Sequence, residues 1–379
     1  MSAEAFDDLV GQARAWLATS PGDLTPHRVA TALRAAGRPV GDASVLAVYE
    51  ELRRSVVGAG PLEPLLREPG VTDVVVNGAT QVCVDRGAGL EPAGVTFPDD
   101  GAVRRLAQRL AAGAGRRLDD ASPYVDVRLA DGTRFHAVLA PVARPGTLIS
   151  LRIPAARTLD LAESVPVPLL GLVRDVVRRR LAFLVSGGTG SGKTTLLAGL
   201  LGEVPAHERI VIVEDARELE PRHPHVVGLE GRPANVEGVG LVAMRELVRQ
   251  ALRMRPDRLV VGEVRGAEVV ELLASLNTGH EGGCGTVHAN SAGDVPARIE
   301  ALALAAGLGR AAVHSQIAAG LDVVLHVARD SRTVVEIAVP HRGADGLVTM
   351  ASAVTWCDGA AVLGPGAPTL ARRLGRGAL

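Results

Sequence analysis

Leu181-Ala182-Phe183-Leu184-Val185-Ser186-Gly187-Gly188-Thr189-Gly190-Ser191-Gly192-Lys193-Thr194-Thr195-Leu196-Leu197 decides the fold. Its first five residues are an apolar run of strand length, bounded by glycine, as a buried parallel strand requires. The middle, Gly187 to Thr194, matches the G-x-x-x-x-G-K-[ST] phosphate loop in full. Thr195 to Leu201 then reads as a helix packed against the sheet. Glycines let backbone N–H groups wrap an anion, and the helix N-terminus adds partial positive charge. Lys193 is the one lysine among 41 basic residues, the rest being arginine. A compact ammonium on a flexible stem can reach the β- and γ-phosphates, where a planar guanidinium fork fits poorly. These features predict nucleoside triphosphate binding by Gly187 through Thr195, with the Thr194 hydroxyl on Mg²⁺.

Outward from the loop, residues 165–379 read as alternating strands and helices, hence a mainly parallel sheet covered on both faces and ending in a β-rich tail. The fold class expected is α/β: a P-loop NTPase domain with a mainly parallel sheet, preceded by a smaller α+β domain. That smaller domain spans 59–154, where short strands alternate with turns: Val74-Val75-Val76 before Asn77-Gly78, then Gln81 to Asp85 as partner. A helix is expected from Arg104 to Gly113, then strands at 125–129, 134–139 and 147–153, the first two joined at Asp131-Gly132. Residues 155–164 read as a linker. Residues 1–58 read as helices, one starting at Thr25-Pro26 with a capping hydroxyl and a first-turn proline. Another helix carries Leu46, Tyr49, Leu52 and Val56 on one face. The last ten or so residues, with Arg372, Arg373 and Arg376, are expected to fray.

Composition narrows the classes. At 379 residues the chain is long enough for two or three domains. Aromatic residues are only 2%, so its cores must be built from Ala, Val and Leu. A net charge of −1 argues against bulk nucleic-acid binding through a basic face. Cys83, Cys284 and Cys357 lie far apart, which fits a reducing cytoplasm. No apolar stretch approaches the roughly 18 residues that span a bilayer, so an intracellular chain held at any membrane by partners is expected.

Three further segments supply acids and a phosphate sensor. Ile210 to Asp215 is an apolar strand ending in Glu214-Asp215, and Arg258 to Glu263 is another ending in Glu263. Ligands of open α/β sheets sit outside the carboxyl ends of the strands, so both acids should face the loop. Glu263 is expected to hold Mg²⁺ through water or to take the attacking water's proton, and Glu214 to orient that water. Thr278 to Asn290 holds His280 and His288 among glycines, and imidazole can hydrogen-bond a γ-phosphate and register its loss. A zinc site from His280, Cys284 and His288 matches no common finger spacing.

In this order, the four segments resemble the secretion ATPase superfamily, which drives type II and type IV secretion and pilus extension and retraction. Leu252-Arg253-Met254-Arg255-Pro256-Asp257-Arg258 and Asn277-Thr278-Gly279-His280-Glu281-Gly282 look most like its tight-adherence (Flp) pilus branch. So does Gly58 to Leu66 leading into Val71 to Gly78. The likeness covers about residues 58–330. It implies a RecA-like P-loop domain in an ATP- and Mg²⁺-dependent homo-hexameric motor, cytoplasmic and engaged with an inner-membrane platform protein, whose smaller, PAS-like domain sends arginines to the phosphates. The matching positions are Arg134 and Arg152, with Arg128 a weaker match. Two departures stand out: no four-cysteine zinc insertion is present, and the strand ends in Gly262-Glu263 rather than aspartate. The alternatives are a DNA-transfer ATPase using Arg178-Arg179-Arg180, a small-molecule kinase, or a ring that binds ATP without turnover. The near-neutral charge gives no expectation of stable nucleic-acid binding.

Overall fold

The computed structural model describes residues 3–20, 24–37, 41–56, 58–153, 160–232, 234, 239–279 and 281–379. Two compact units divide the chain, residues 1–155 and 156–379.

The first unit begins with helices α1 (Ala3–Thr19), α2 (Pro26–Ala35) and α3 (Asp42–Val56). The Thr25 hydroxyl accepts the Arg28 N–H at 3.3 Å and caps α2, as the Thr-Pro pair predicts. Leu9, Val10 and Ala13 of α1 pack with Val29 and Leu33 of α2 and with Val45, Val48 and Leu52 of α3. This corrects the expected face of α3. Leu46 is 52% exposed, and the buried stripe is Val45–Val48–Leu52. Both stripes fit helical spacing and share Leu52, so only the position of α1 and α2 decides between them.

A short turn of helix, α4 (Glu63–Leu66), leads into strands β1 (Asp73–Asn77), β2 (Gln81–Asp85) and β3 (Leu90–Pro92). Helix α5 (Asp100–Gly113) and strands β4 (Tyr124–Arg128), β5 (Arg134–Val138) and β6 (Leu148–Arg152) follow. The strands form one sheet in the order β3-β2-β1-β6-β5-β4, antiparallel throughout. Alternation in β1 puts Val74 and Val76 inward. Helix α5, capped by the Asp99 carboxylate on the Ala102 N–H at 2.7 Å, adds Val103, Leu106 and Leu110 to the same core.

The second unit starts with α6 (Leu161–Ser164) and α7 (Val167–Arg178). Of the expected linker, residues 155–159 lie outside the described residues, and Leu161–Ser164 is one helical turn. Next come β7 (Phe183–Gly187), α8 (Lys193–Gly202), β8 (Ile210–Glu214), β9 (Val226–Glu230), α9 (Met244–Ala251), β10 (Arg258–Val264), α10 (Glu268–Leu276) and β11 (Cys284–His288). Helices α11 (Val295–Ala305) and α12 (Arg310–Gly320) precede β12 (Val323–Val327), β13 (Val334–Arg342), β14 (Val348–Cys357), β15 (Ala360–Leu363) and α13 (Ala367–Arg373). The sheet runs β15-β14-β13-β12-β7-β11-β10-β8-β9. From β12 to β9 its neighbours are parallel, and β13 to β15 form an antiparallel extension, the β-rich tail. One face is covered by α6, α7, α8 and α13, the other by α9 to α12, with two separate apolar clusters between. Parallel strands buried on both sides need continuous apolar runs, and all of β7 and β8 is buried.

Two further expectations meet the structure here. The last residues do not fray: Leu370 and Leu374 are fully buried, and Arg376 pairs with Asp175 of α7. Their arginines flank an apolar i, i+4 pair that docks α13. The Arg178-Arg179-Arg180 run ends α7, where cations suit the helix dipole. Arg180 donates to the Asp257 carbonyl at 2.9 Å, and Arg178 lies near Glu203. No helix among the described residues is long and apolar enough to cross a membrane.

Candidate functional site

Strands β7, β11, β10 and β8 are neighbours, and their carboxyl ends deliver Gly187, His288, Glu263 and Glu214 to one edge of the sheet. The phosphate loop follows β7 and opens α8, whose N-cap, Gly192, has φ +92°, a left-handed conformation that favours glycine. Thr194 and Thr195 stand half-buried in the first turn of α8.

Lys193 is 7% exposed. Its ammonium donates to the carbonyls of Gly187 at 3.0 Å and Gly188 at 2.8 Å, so the side chain curls back along the loop. The third neighbour is His288 Nδ1 at 3.4 Å. On the other side of the ring, His288 Nε2 lies 2.6 Å from Glu263 Oε1. That approach lacks hydrogen-bond geometry, and Oε1 stays buried without a hydrogen bond. An ammonium only donates and a carboxylate only accepts. His288 between them is therefore assigned as the neutral tautomer with its proton on Nε2. Burial pushes the His288 pKa down, and the Lys193 charge pushes it further. Burial also lowers the Lys193 pKa, against the pull of Glu263. Lysine, imidazole and carboxylate thus form a chain from the loop to the end of β10.

Arg265, two residues past Glu263, holds the other carboxylate oxygen, Oε2, of that side chain. Glu268 fixes the turn that presents Arg265, accepting the N–H groups of Arg265 at 2.6 Å and Gly266 at 2.7 Å. Sequence reasoning passed over Arg265; a cation two residues after a strand-end acid was the available signal.

Glu214 is buried, and its Oε1 accepts the N–H groups of Glu218 at 3.1 Å and Leu219 at 3.0 Å, organising the loop after β8. The side chain crosses Gly262 so closely that a Cβ there would lie 2.5 Å from Glu214 Cγ. Gly262 is thus what lets the two acids occupy adjacent strands.

The remaining expected residues fall as follows. His280 lies outside the described residues. Cys284 and His288 open and close β11, about 13 Å apart at the usual rise per residue. Cys284 is fully buried, and burial pushes its thiol up to about 12, the opposite of what a zinc thiolate needs. The zinc arrangement is therefore not formed. Arg134 and Arg152 lie in the first unit, each on a carboxylate: Arg134 Nη2 on Asp126 at 2.8 Å, Arg152 Nε on Asp73 at 2.8 Å. Register places Arg128, Arg134 and Arg152 abreast on β4, β5 and β6. Like charges directly opposite one another disfavour a sheet, and Asp126 and Asp73 offset that cost for Arg134 and Arg152.

The residues present fit a Mg²⁺–nucleotide. The loop supplies one buried ammonium and a buried Ser191 hydroxyl with no hydrogen-bond partner. Among the described residues no three His, Cys, Asp or Glu side chains converge as a metal cage. Mg²⁺ bound largely through substrate phosphates, with Thr194 and Glu263 nearby, needs none.

Residues 55–357 match the family described as type II/IV secretion system protein. A Mycobacterium tuberculosis protein carrying the provisional name conjugal transfer protein is 59% identical over 323 residues, covering 82% of this chain and 92% of its own length. The type IV secretion system protein PtlH of Bordetella pertussis is 36% identical over 262 residues, covering 61% of this chain and 76% of PtlH. Among solved structures, the pilus retraction motor PilT with bound ADP is similar in fold, with TM-score 0.53 and 21% identity. That likeness covers 77% of this chain and 80% of PilT.

Proposed function

From the premise that this chain belongs to the type II/IV secretion system protein family, we propose that it is an ATP-hydrolysing motor of a type IV secretion or pilus machine. The observation that carries this reading is the Lys193–His288–Glu263 chain at the carboxyl edge of the sheet. Lys193 and the loop N–H groups hold the β- and γ-phosphates, and bound Mg²⁺ would neutralise charge there, near Thr194 and Glu263. Glu263 takes the proton of the attacking water, while Glu214 keeps the neighbouring loop in place and orients that water. His288, neutral and set between Lys193 and Glu263, registers loss of the γ-phosphate through Lys193. Arg134 and Arg152, as the family likeness implies, neutralise charge on the transferred phosphoryl group, and His280 is assigned to the same segment's sensing role.

The chain works as a homo-hexamer in the cytoplasm, at the inner face of the membrane through a platform protein. Domain limits at 1–58, 59–154, 155–164 and 165–379 belong to the same reading. DNA transfer is the second reading, favoured by relatives named as conjugal transfer proteins. The tight-adherence pilus assignment rests on the motifs quoted above.

The test is Mg²⁺-dependent ATP turnover per chain across a wide protein concentration range. Activity per chain should climb with concentration as the ring assembles. Glu263→Gln should keep nucleotide binding and lose turnover by about 10²-fold or more, the scale of a lost general base. Normal hydrolysis by Glu263→Gln would overturn its role, and flat activity with concentration would overturn the ring.

A further inference from the structure

We infer that Arg298 is a γ-phosphate ligand of the phosphate-loop site, a cation that separates nucleoside triphosphate from diphosphate. The inference rests on nucleotide binding as proposed above, and it deepens that reading by adding a residue outside the four motif segments.

The direction of the loop comes first. Lys193 Nζ bonds the carbonyls of Gly187 and Gly188, so the lysine tip lies at that end of the loop. Thr194 and Thr195 open α8 at the other end. Because the lysine of such a loop reaches the β- and γ-phosphates, Gly188 and Thr189 mark its γ end. At this end lies a cleft of about 460 Å³. Its lining includes Gly188, Thr189 and His288 together with Asp294 and Arg298 from the start of α11.

Arg298 is exposed and makes no ion pair or hydrogen bond among the described residues. It is the fourth residue of α11, at the end where the helix dipole disfavours a cation. The one acid at this end of α11 is its N-cap, Asp294. Asp294, at the N-cap, makes no capping bond and is held by the Ser291 hydroxyl at 2.8 Å. An anion in the cleft would give the Arg298 guanidinium the partner that Asp294, turned to Ser291, does not supply. Gly188, His288 and Arg298 belong to the same unit, so this arginine acts on its own chain's phosphate loop, whichever oligomer forms.

The test is equilibrium binding of fluorescent ADP and fluorescent ATPγS, with Mg²⁺, to the full chain and to Arg298→Gln, Arg298→Lys and Lys193→Ala. Arg298→Gln should weaken ATPγS about tenfold or more, as a lost charge-assisted hydrogen bond implies, and leave ADP within about twofold. Arg298→Lys should recover part of the ATPγS affinity, and Lys193→Ala should weaken both nucleotides. Equal weakening of ADP and ATPγS by Arg298→Gln, or no change in either, would overturn the inference while leaving nucleotide binding intact. If the unaltered chain bound neither nucleotide, the proposed function would fall together with it.

Discussion

Arg258→Met tests whether the second unit depends on a charge buried beneath the amino end of β10. Arg258 is 1% exposed; its Nε donates to Glu208 Oε2 at 2.6 Å and its Nη2 to the Val177 carbonyl at 3.0 Å. Removing the guanidinium strands a carboxylate that is itself 7% exposed. Breaking such a pair costs about 3–5 kcal/mol, because the remaining charge stays desolvated. Arg180 lies 3.5 Å from Glu208 Oε1 and offsets part of that loss, which sets the expectation at about 3 kcal/mol. For a unit of this size that lowers the thermal midpoint by about 6–12 °C. The site is also shaped around arginine: Gly282, at φ +73°, lies so close that a Cβ there would sit 2.0 Å from Arg258 Nη1. Scanning calorimetry of the full chain, Arg258→Met, Glu208→Leu and the double variant forms the assay. The double variant should recover most of the loss, since two apolar side chains replace two buried charges. A midpoint for Arg258→Met within about 2 °C of the unaltered chain, or strictly additive single effects, would refute the reasoning.

The remaining predictions concern the phosphate edge. Gly262→Ala drives a methyl into Glu214 and displaces it from the Glu218 and Leu219 N–H groups. A loss of about 1–3 kcal/mol is expected from overpacking, read as a lower thermal midpoint together with reduced ATP turnover. A second prediction follows from His288 and His326, whose pKa values are lowered by burial, the latter beside the Ser186 hydroxyl at 2.9 Å. With folded pKa values below the ordinary value of about 6.5, their stabilisation is complete above that pH and is lost as pH falls through the folded values. The thermal midpoint should drop as pH falls below about 6.5, and His288→Asn or His326→Asn should each flatten that drop. An unchanged pH slope in both variants would contradict the assignment.

Much of this was legible in the chain because the signals are local. The phosphate loop declares itself through glycine spacing and one lysine, and β7, β8 and β10 through apolar runs that end in glycine or carboxylate. The Asp131-Gly132 hairpin and the Thr25-Pro26 helix start depend on two residues each, and both form as read. Where two readings satisfied one local pattern, the sequence did not choose. In α3, Leu46 and Val45 are both apolar at helical spacing, and burial went to the stripe that meets α1 and α2. At the C-terminus, arginines read as a polar tail, although Leu370 and Leu374 dock α13 on the second unit.

The sequence by itself determined the type of the main strands and helices around the loop, and the glycine spacing and single lysine of the loop itself. Only the tertiary structure decided how those residues meet. Strand order, set by contacts far apart in sequence, inserts β11 between β7 and β10 and so brings His288 between Lys193 and Glu263. The same packing sets Glu214 across Gly262, buries Arg258 on Glu208 and places Arg298 on the phosphate-loop cleft. These are pairings of groups 25 to 110 positions apart in the chain, and no local spacing rule encodes them.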